Sequence, residues 1–106
     1  MRKKRSDRNH LVYVITCVPT NEQYIGVTVV KPAGKKKSLN QRWQGHLYKA
    51  LVLRERWELP RAIRKYGQDS FTSSVLEVVR GKKAAFALEA ALINALKTKL
   101  NTRIKQ

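Results

Sequence analysis

The chain has 106 residues, 42% of them hydrophobic, so it suits one compact domain and is too apolar to be disordered. Its 23 Lys and Arg residues against 7 Asp and Glu give a net charge of +16, which favours a polyanionic partner, above all nucleic acid. No apolar run has membrane-spanning length, and no apolar segment follows the basic first residues as in a secretion signal. We therefore expect a cytoplasmic protein without a membrane partner.

The first half of the chain predicts an arm, a hairpin and a helix. Residues 1–10 are polar and basic, and we expect a flexible arm ahead of a single domain over 11–106. Residues 11–18 and 24–30 are rich in β-branched and aromatic residues, and the turn composition of 19–22 joins them as a hairpin. A lysine-rich loop over 31–37 leads to Ser38, which is suited to cap a helix over 39–54.

The second half predicts two helices and a strand. Pro60 suits the first turn of a short helix that ends near residue 66, and Gly67 suits its C-terminal cap. Residues 71–79 have strand character, and the Ala- and Leu-rich stretch 82–100 is the longest predicted helix. The order β-β-α-α-β-α indicates an α+β domain with a small, partly antiparallel sheet of three strands.

Glu89 is a carboxylate on an apolar stripe of the last predicted helix. The residues three and four positions away are all apolar: Ala85, Phe86, Leu92 and Ile93. A carboxylate among such neighbours is costly to bury unless it is paired. Two interpretations are open: an ion pair with a nearby Lys or Arg at the edge of the helix face, or a ligand for a hard cation such as Mg²⁺.

Four polar side chains and one glycine are further candidates. Arg42 and His46 are four residues apart and so share a helix face, and a guanidinium suits a phosphate. Tyr13 and Tyr24 lie on the two strands of the hairpin. Taken singly, these four residues are better explained by structural roles: a solvated basic face for Arg42, half-buried packing for His46 and cross-strand packing for the two tyrosines. Gly26, inside a strand, marks close approach of a ligand or of another backbone.

Together these residues resemble the GIY-YIG nuclease family. Its two short strand motifs correspond to Leu-Val-Tyr at 11–13 and Tyr-Ile-Gly at 24–26, with ten residues between the two tyrosines. The family's later arginine, histidine, metal-binding glutamate and asparagine are matched by Arg42, His46, Glu89 and Asn101. Residues 62–71 resemble the family's homing-type members.

The resemblance implies a small antiparallel sheet flanked by helices, with one divalent metal, Mg²⁺ or Mn²⁺, on Glu89 and no small-molecule cofactor. It implies that Arg42 stabilises charge on the phosphate and that Tyr13 is a general base or positions water. Tyr24 and His46 would orient water, phosphate or leaving group, and which of Tyr13, Tyr24 and His46 takes the proton stays open. Gly26 and Asn101 would support the site, although Asn101 could be only a helix C-cap.

DNA is the expected substrate, cut by a monomer or by a homo-oligomer of a mobile-element or phage enzyme. A non-catalytic nucleic-acid-binding protein with a nuclease-like fold is the alternative, favoured by Leu and Val at 11 and 12 in place of Gly and Ile. A structural protein whose charge only provides solubility is a weaker one. The expected DNA-backbone contacts are Lys31, Lys35, Lys36, Lys37, Arg54, Arg56, Arg61, Arg64 and Lys65.

Overall fold

The computed structural model describes residues 8–101. They form strand β1 (Asn9–Cys17), strand β2 (Glu22–Val29), helix α1 (Lys35–Leu51), helix α2 (Glu58–Tyr66), strand β3 (Phe71–Arg80) and helix α3 (Lys82–Leu96), with short 3-10 turns at Gln68–Ser70 and Lys99–Asn101. The element order is therefore the predicted β-β-α-α-β-α, and the α+β class is confirmed. No helix within the described part of the chain is both long and apolar enough to cross a membrane.

The three strands form one sheet in the order β2-β1-β3, and both pairings are antiparallel. β1 is central because it joins β2 through a tight turn and also pairs with β3 along its whole length. A bulge between Val12 and Tyr13 interrupts the pairing with β3. Bulges re-aim side chains, and this one comes immediately before the strand's tyrosine.

Alternate residues of β1 belong to two separate cores. Leu11, Tyr13 and Ile15 are fully buried in a cluster that includes residues of α1 and α2. Val12 and Val14 belong to a second cluster, against which Leu88, Leu92 and Ile93 of α3 pack. The sheet therefore lies between α3 on one face and the α1–α2 pair on the other, which explains the unbroken apolar run of β1. Cys17 belongs to the first of these clusters, and its side chain is fully buried.

The start of α1 differs from the prediction. The helix begins at Lys35 after Gly34, whose φ of 106° suits a residue without a side chain, and Ser38 is not its cap. Instead, the Ser38 hydroxyl donates to the Gly34 carbonyl at 2.7 Å and accepts from the Lys31 N–H at 2.9 Å. Ser38 therefore lies within the first turns of α1 and hydrogen-bonds back to the preceding loop. The lysines at 35–37 are helical rather than part of that loop.

The end of α3 also differs. The helix stops at Leu96 instead of continuing to residue 100, because Lys97 takes a left-handed conformation with φ 53°. Residues 98–101, which we call the clasp, then turn back onto β2. Asn101 is consequently not the C-cap of α3.

Two other boundaries move and one is confirmed. α1 ends at Leu51, before the predicted residue 54, whereas Gly67 caps α2 with φ 86° as predicted. Of the predicted arm, residues 1–7 lie outside the described residues, and Asn9 and His10 belong to β1.

Candidate active site

Tyr13 lies at the centre of the sheet and its ring passes over Gly26 of β2. The two residues are direct partners in the β1–β2 register. A Cβ built on Gly26 would lie 2.5 Å from Tyr13 Cζ and 2.8 Å from Tyr24 Cε1, closer than real side chains approach. The predicted close approach at this glycine is therefore real, but a tyrosine side chain makes it rather than a ligand or a backbone.

Helix α1 brings Arg42 and His46 to the same tyrosine. His46 Nε2 is 2.9 Å from the Tyr13 hydroxyl, and Arg42 Nε donates to that hydroxyl at 3.3 Å. The Tyr24 ring centroid lies 6.1 Å from that of Tyr13, and its ring meets the His46 ring edge-on at 5.1 Å between centroids. The two hairpin tyrosines and the two α1 residues thus form one contiguous polar cluster at the buried face of the sheet.

The protonation states within this cluster follow from burial and charge. Burial raises the pKa of Tyr13 far above its usual value, helped by the neighbouring Tyr24 and opposed by Arg42. Burial, together with the positive charges of Arg42 and Lys49, lowers the pKa of His46 to about 3. Tyr13 is therefore a neutral phenol at pH 7, and His46 a neutral imidazole.

The hydrogen bonds can then be assigned a direction. A guanidinium can only donate, so the Tyr13 oxygen accepts from Arg42 and its own O–H is free to donate. Neutral His46 offers Nε2 as an acceptor when its other ring nitrogen, Nδ1, carries the proton. Tyr13 is thereby held from two sides in one orientation.

Glu89 lies on the face of α3 that packs against the sheet. Ala85, one turn earlier, is fully buried, and Leu92 and Ile93, one turn later, contact the second core cluster. Glu89 itself is half-buried. Burial raises its pKa, and the positive charge of Arg42 opposes that rise, so the carboxylate lies within electrostatic range of the arginine.

Glu89 is not engaged in an ion pair with any described lysine or arginine. Within residues 8–101, the ion pair that forms is Lys99–Glu22, with Nζ and Oε2 3.1 Å apart. The first interpretation of Glu89, a structural ion pair at the edge of the helix face, is therefore not found in this part of the chain. A half-buried carboxylate with a raised pKa is instead available to a cation.

The donor set available for a metal is small. The described residues contain no group of three or more His, Cys, Asp or Glu side chains that could hold an ion together. A Zn²⁺ site of the usual kind needs three or four protein ligands, whereas Mg²⁺ is commonly held by one or two carboxylates together with phosphate oxygens and water. Glu89 fits the second pattern, because a divalent cation beside it would offset the burial that disfavours its charged form.

The clasp fixes the edge strand that carries Tyr24 and Gly26. Asn101 Nδ2 donates to the Ile25 carbonyl at 2.8 Å, and the Ile25 N–H donates to Asn101 Oδ1 at 2.8 Å. The Thr98 hydroxyl donates to the same Oδ1 at 2.7 Å. Because β2 is an edge strand, its outward backbone groups have no strand partner, and the asparagine amide satisfies both of them. Asn101 therefore supports the cluster through the backbone.

Thr98 and Trp57 are two residues next to the cluster whose part the sequence did not reveal. Thr98 is separated from Ile25 by more than seventy residues of chain, and no local pattern links them. Trp57 is buried, its ring centroid lies 5.7 Å from that of Tyr24, and its indole N–H donates to Glu55 Oε1 at 2.9 Å. Aromatic spacing alone gives no signal for such a contact.

The basic residues predicted to contact DNA lie in three places: near the start of α1, after its end, and on α2. Arg64 differs from the others because it is half-buried and its Nη1 donates to the Ala50 carbonyl at 3.0 Å. It therefore joins α2 to α1 as well as offering charge. The remaining eight side chains are exposed: Lys31, Lys35, Lys36, Lys37, Arg54, Arg56, Arg61 and Lys65.

Comparison with known proteins matches the chain to the GIY-YIG catalytic domain over residues 9–102. A solved structure of a mutant catalytic domain of the intron endonuclease I-TevI is 22% identical, with a TM-score of 0.70 over 91% of this chain and 92% of that one. A second structure, of the catalytic domain of the homing endonuclease I-TevI, is 22% identical with a TM-score of 0.64 over 92% and 99%. No curated protein matches the chain. Since the family match spans nearly the whole sequence, this chain belongs to the GIY-YIG nuclease family and carries its catalytic domain.

Proposed function

We propose that this protein is a metal-dependent endonuclease that hydrolyses phosphodiester bonds in DNA. The observation that carries the proposal is the half-buried carboxylate of Glu89. It forms no ion pair with a described lysine or arginine, and it lies within electrostatic range of Arg42. A divalent cation on Glu89 and an arginine within electrostatic range of it are suited to bind the scissile phosphate and the charge that develops on it. The net charge of +16 supplies the attraction to a polyanion.

Arg42 is the proposed phosphate ligand. It is half-buried, its Nε donates to the Tyr13 hydroxyl, and a guanidinium has further N–H groups that can donate to a phosphate. A guanidinium held by one nitrogen keeps its orientation before substrate arrives, so less side-chain entropy is lost on binding.

Tyr13, Tyr24 and His46 are the proposed orienting groups for water, phosphate or leaving group. Burial disfavours both the phenolate of Tyr13 and the imidazolium of His46, so both side chains are neutral in the free protein. The Tyr13 hydroxyl, which donates to His46 and accepts from Arg42, holds the arginine in place for the phosphate. The pKa directions therefore favour positioning over ionisation as the role of Tyr13 and His46.

Mg²⁺ or Mn²⁺ is the proposed cofactor, with Glu89 as its protein ligand and no small-molecule cofactor beside it. When bound, such an ion would neutralise charge on the phosphate and lower the pKa of water. Gly26 and Asn101 complete the site as supports, since one gives Tyr13 its space and the other holds β2 at Ile25.

The biological setting we propose is a mobile-element or phage enzyme of intracellular DNA. The homing-like segment 62–71 and the similarity in fold to the catalytic domain of a homing endonuclease support it. Two strands must be cut to break a duplex, so a single site of this size implies sequential nicking or a homo-oligomer.

The test is cleavage of supercoiled plasmid in the presence of Mg²⁺ or Mn²⁺. We expect the parent to produce nicked and linear DNA and to lose this activity when the metal is chelated. Glu89→Gln keeps the size of the side chain but removes its charge, and it should slow cleavage by at least about a hundredfold while DNA binding persists. Glu77→Gln, on the exposed surface of β3, makes the same change of charge as a control and should cut at the parent's rate.

Two results would decide against the proposal. If Glu89→Gln cuts as fast as the parent, the carboxylate does not hold the metal. If the parent binds DNA in a salt-dependent way but never nicks it with either metal, the chain is the non-catalytic binding protein. The motif residues that favoured that alternative are core residues here, because Leu11 and Val12 are fully buried on opposite faces of β1 and leave Tyr13 in position.

A further inference from the structure

A cavity lies near the start of β2, and none of its lining residues belongs to the tyrosine cluster. Its volume is about 520 Å³, and it opens between the first residue of β2, one face of α2 and the clasp. Four cations and two carboxylates are among its lining residues: Arg61, Arg64, Lys65, Lys99, Glu22 and Glu58. Two separate elements, α2 and the clasp, therefore bring positive charge to one place.

The cavity adjoins the tyrosine cluster along β2. Glu22 and Tyr24 are two residues apart on one strand, so their side chains point to the same face, about 6.8 Å apart along the strand. The cavity and the cluster are therefore close enough for one DNA strand to contact both.

The charge of the cavity favours an anion. Glu22 is neutralised by its ion pair with Lys99, and Glu58 lies in the first turn of α2, where a carboxylate offsets the helix dipole. Arg61 and Lys65 remain, four residues apart on the exposed side of α2, and neither is hydrogen-bonded to another described residue. Lys65 Nζ lies 5.3 Å from the Tyr66 ring centroid, which limits its range of positions.

We propose that this cavity is a second phosphate subsite, which holds the DNA backbone to one side of the scissile phosphate through Arg61 and Lys65. Arg64 adds positive charge to the cavity while it also donates a hydrogen bond to the Ala50 carbonyl of α1. Lys99 keeps Glu22 from repelling the phosphate. The inference rests on the proposed nuclease function and deepens it, because a second fixed phosphate sets which bond of the strand lies beside Arg42.

The test is a series of duplexes, each with one neutral methylphosphonate at a different position around the mapped cut. With the parent, we expect a neutral group at the subsite to slow cleavage about tenfold, as loss of a charge-assisted contact would. Arg61→Gln/Lys65→Gln should slow cleavage of unmodified DNA to a similar degree. A methylphosphonate at the subsite position should not slow this variant further. Arg80→Gln/Lys83→Gln removes the same charges from exposed positions away from the cavity, and it should keep the parent's interference pattern.

A measurement of DNA binding separates this inference from the nuclease proposal. In the Glu89→Gln background, the slope of log Kd against log salt should fall by about one to two for Arg61→Gln/Lys65→Gln, since each lost phosphate contact contributes about one. If the parent never cleaves but this slope change exceeds that of Arg80→Gln/Lys83→Gln, the subsite stands without the nuclease. Equal slopes for the two double variants, or an unchanged interference pattern in Arg61→Gln/Lys65→Gln, would overturn the subsite.

Discussion

Replacing Gly26 by alanine tests the geometry on which the site depends. The added methyl would lie 2.5 Å from Tyr13 Cζ and 2.8 Å from Tyr24 Cε1, so at least one ring must move. Tyr13 has little freedom to do so, because it is fully buried and its hydroxyl is 2.9 Å from His46 Nε2. Overpacking of this kind costs about 1–3 kcal/mol, and loss of the buried hydrogen bond adds about 1 kcal/mol. We therefore expect Gly26→Ala to lower the free energy of unfolding by about 2–4 kcal/mol.

The effect on activity should exceed the effect on folding. A tyrosine ring displaced from Arg42 and His46 no longer orients water or phosphate, and misplacement of about 1 Å can cost about a hundredfold in rate. Urea unfolding and plasmid cleavage under conditions where the variant remains folded would measure the two effects separately. Gly45 is the matched control: it lies in α1 with nothing within 4 Å of an added Cβ, so Gly45→Ala should stabilise the fold by roughly 0.5–1 kcal/mol and leave cleavage intact. A Gly26→Ala protein as stable and as active as the parent would refute the reasoning.

Two further variants probe the clasp and the buried histidine. Thr98→Val removes the hydroxyl that donates to Asn101 Oδ1, so it should destabilise the protein by about 1 kcal/mol and reduce cleavage. Thr98→Ser keeps the donor and should cleave at the parent's rate. Equal stability and cleavage of the two variants would show that the hydroxyl is not needed. Because the pKa of His46 falls from 6.5 in the unfolded chain to about 3 in the folded protein, its contribution to stability is complete above pH 6.5 and is lost as the pH falls toward 3. His46→Gln should therefore flatten the dependence of unfolding free energy on pH between 6 and 4 by up to about 1.4 kcal/mol per pH unit, and an unchanged slope in urea titrations would contradict the assignment of His46 as a buried neutral group.

Much of the fold could be read from the residues in order. Alternating or continuous β-branched runs predicted all three strands, and the apolar periodicity and terminal Pro and Gly residues predicted the helices within a few positions. Two of the boundaries that moved are set by single backbone conformations. Gly34 and Lys97 have positive φ, and their conformations, rather than composition, decide where α1 begins and α3 ends.

The residues of the site could also be identified from the sequence, but the contacts between them could not. Spacing placed Arg42 and His46 on one helix face and Tyr13 and Tyr24 on neighbouring strands, which are local facts of 3.6-residue and two-residue periodicity. The contact of Tyr13 with both α1 residues depends on how α1 packs on the sheet. The absence of a described ion pair at Glu89 likewise depends on which cations surround α3 in three dimensions.

By itself, the amino-acid sequence determined the α+β class, the polyanionic partner and the set of side chains able to do chemistry, because composition and local periodicity act over a few residues. Only the tertiary structure decided that Gly26 makes room for a tyrosine, that Thr98 and Asn101 hold an edge strand, and that Arg61 and Lys65 line a cavity next to Tyr24. These relations join residues that are distant in the chain. They arise from the packing of helices on a sheet, and no pattern within one segment encodes them.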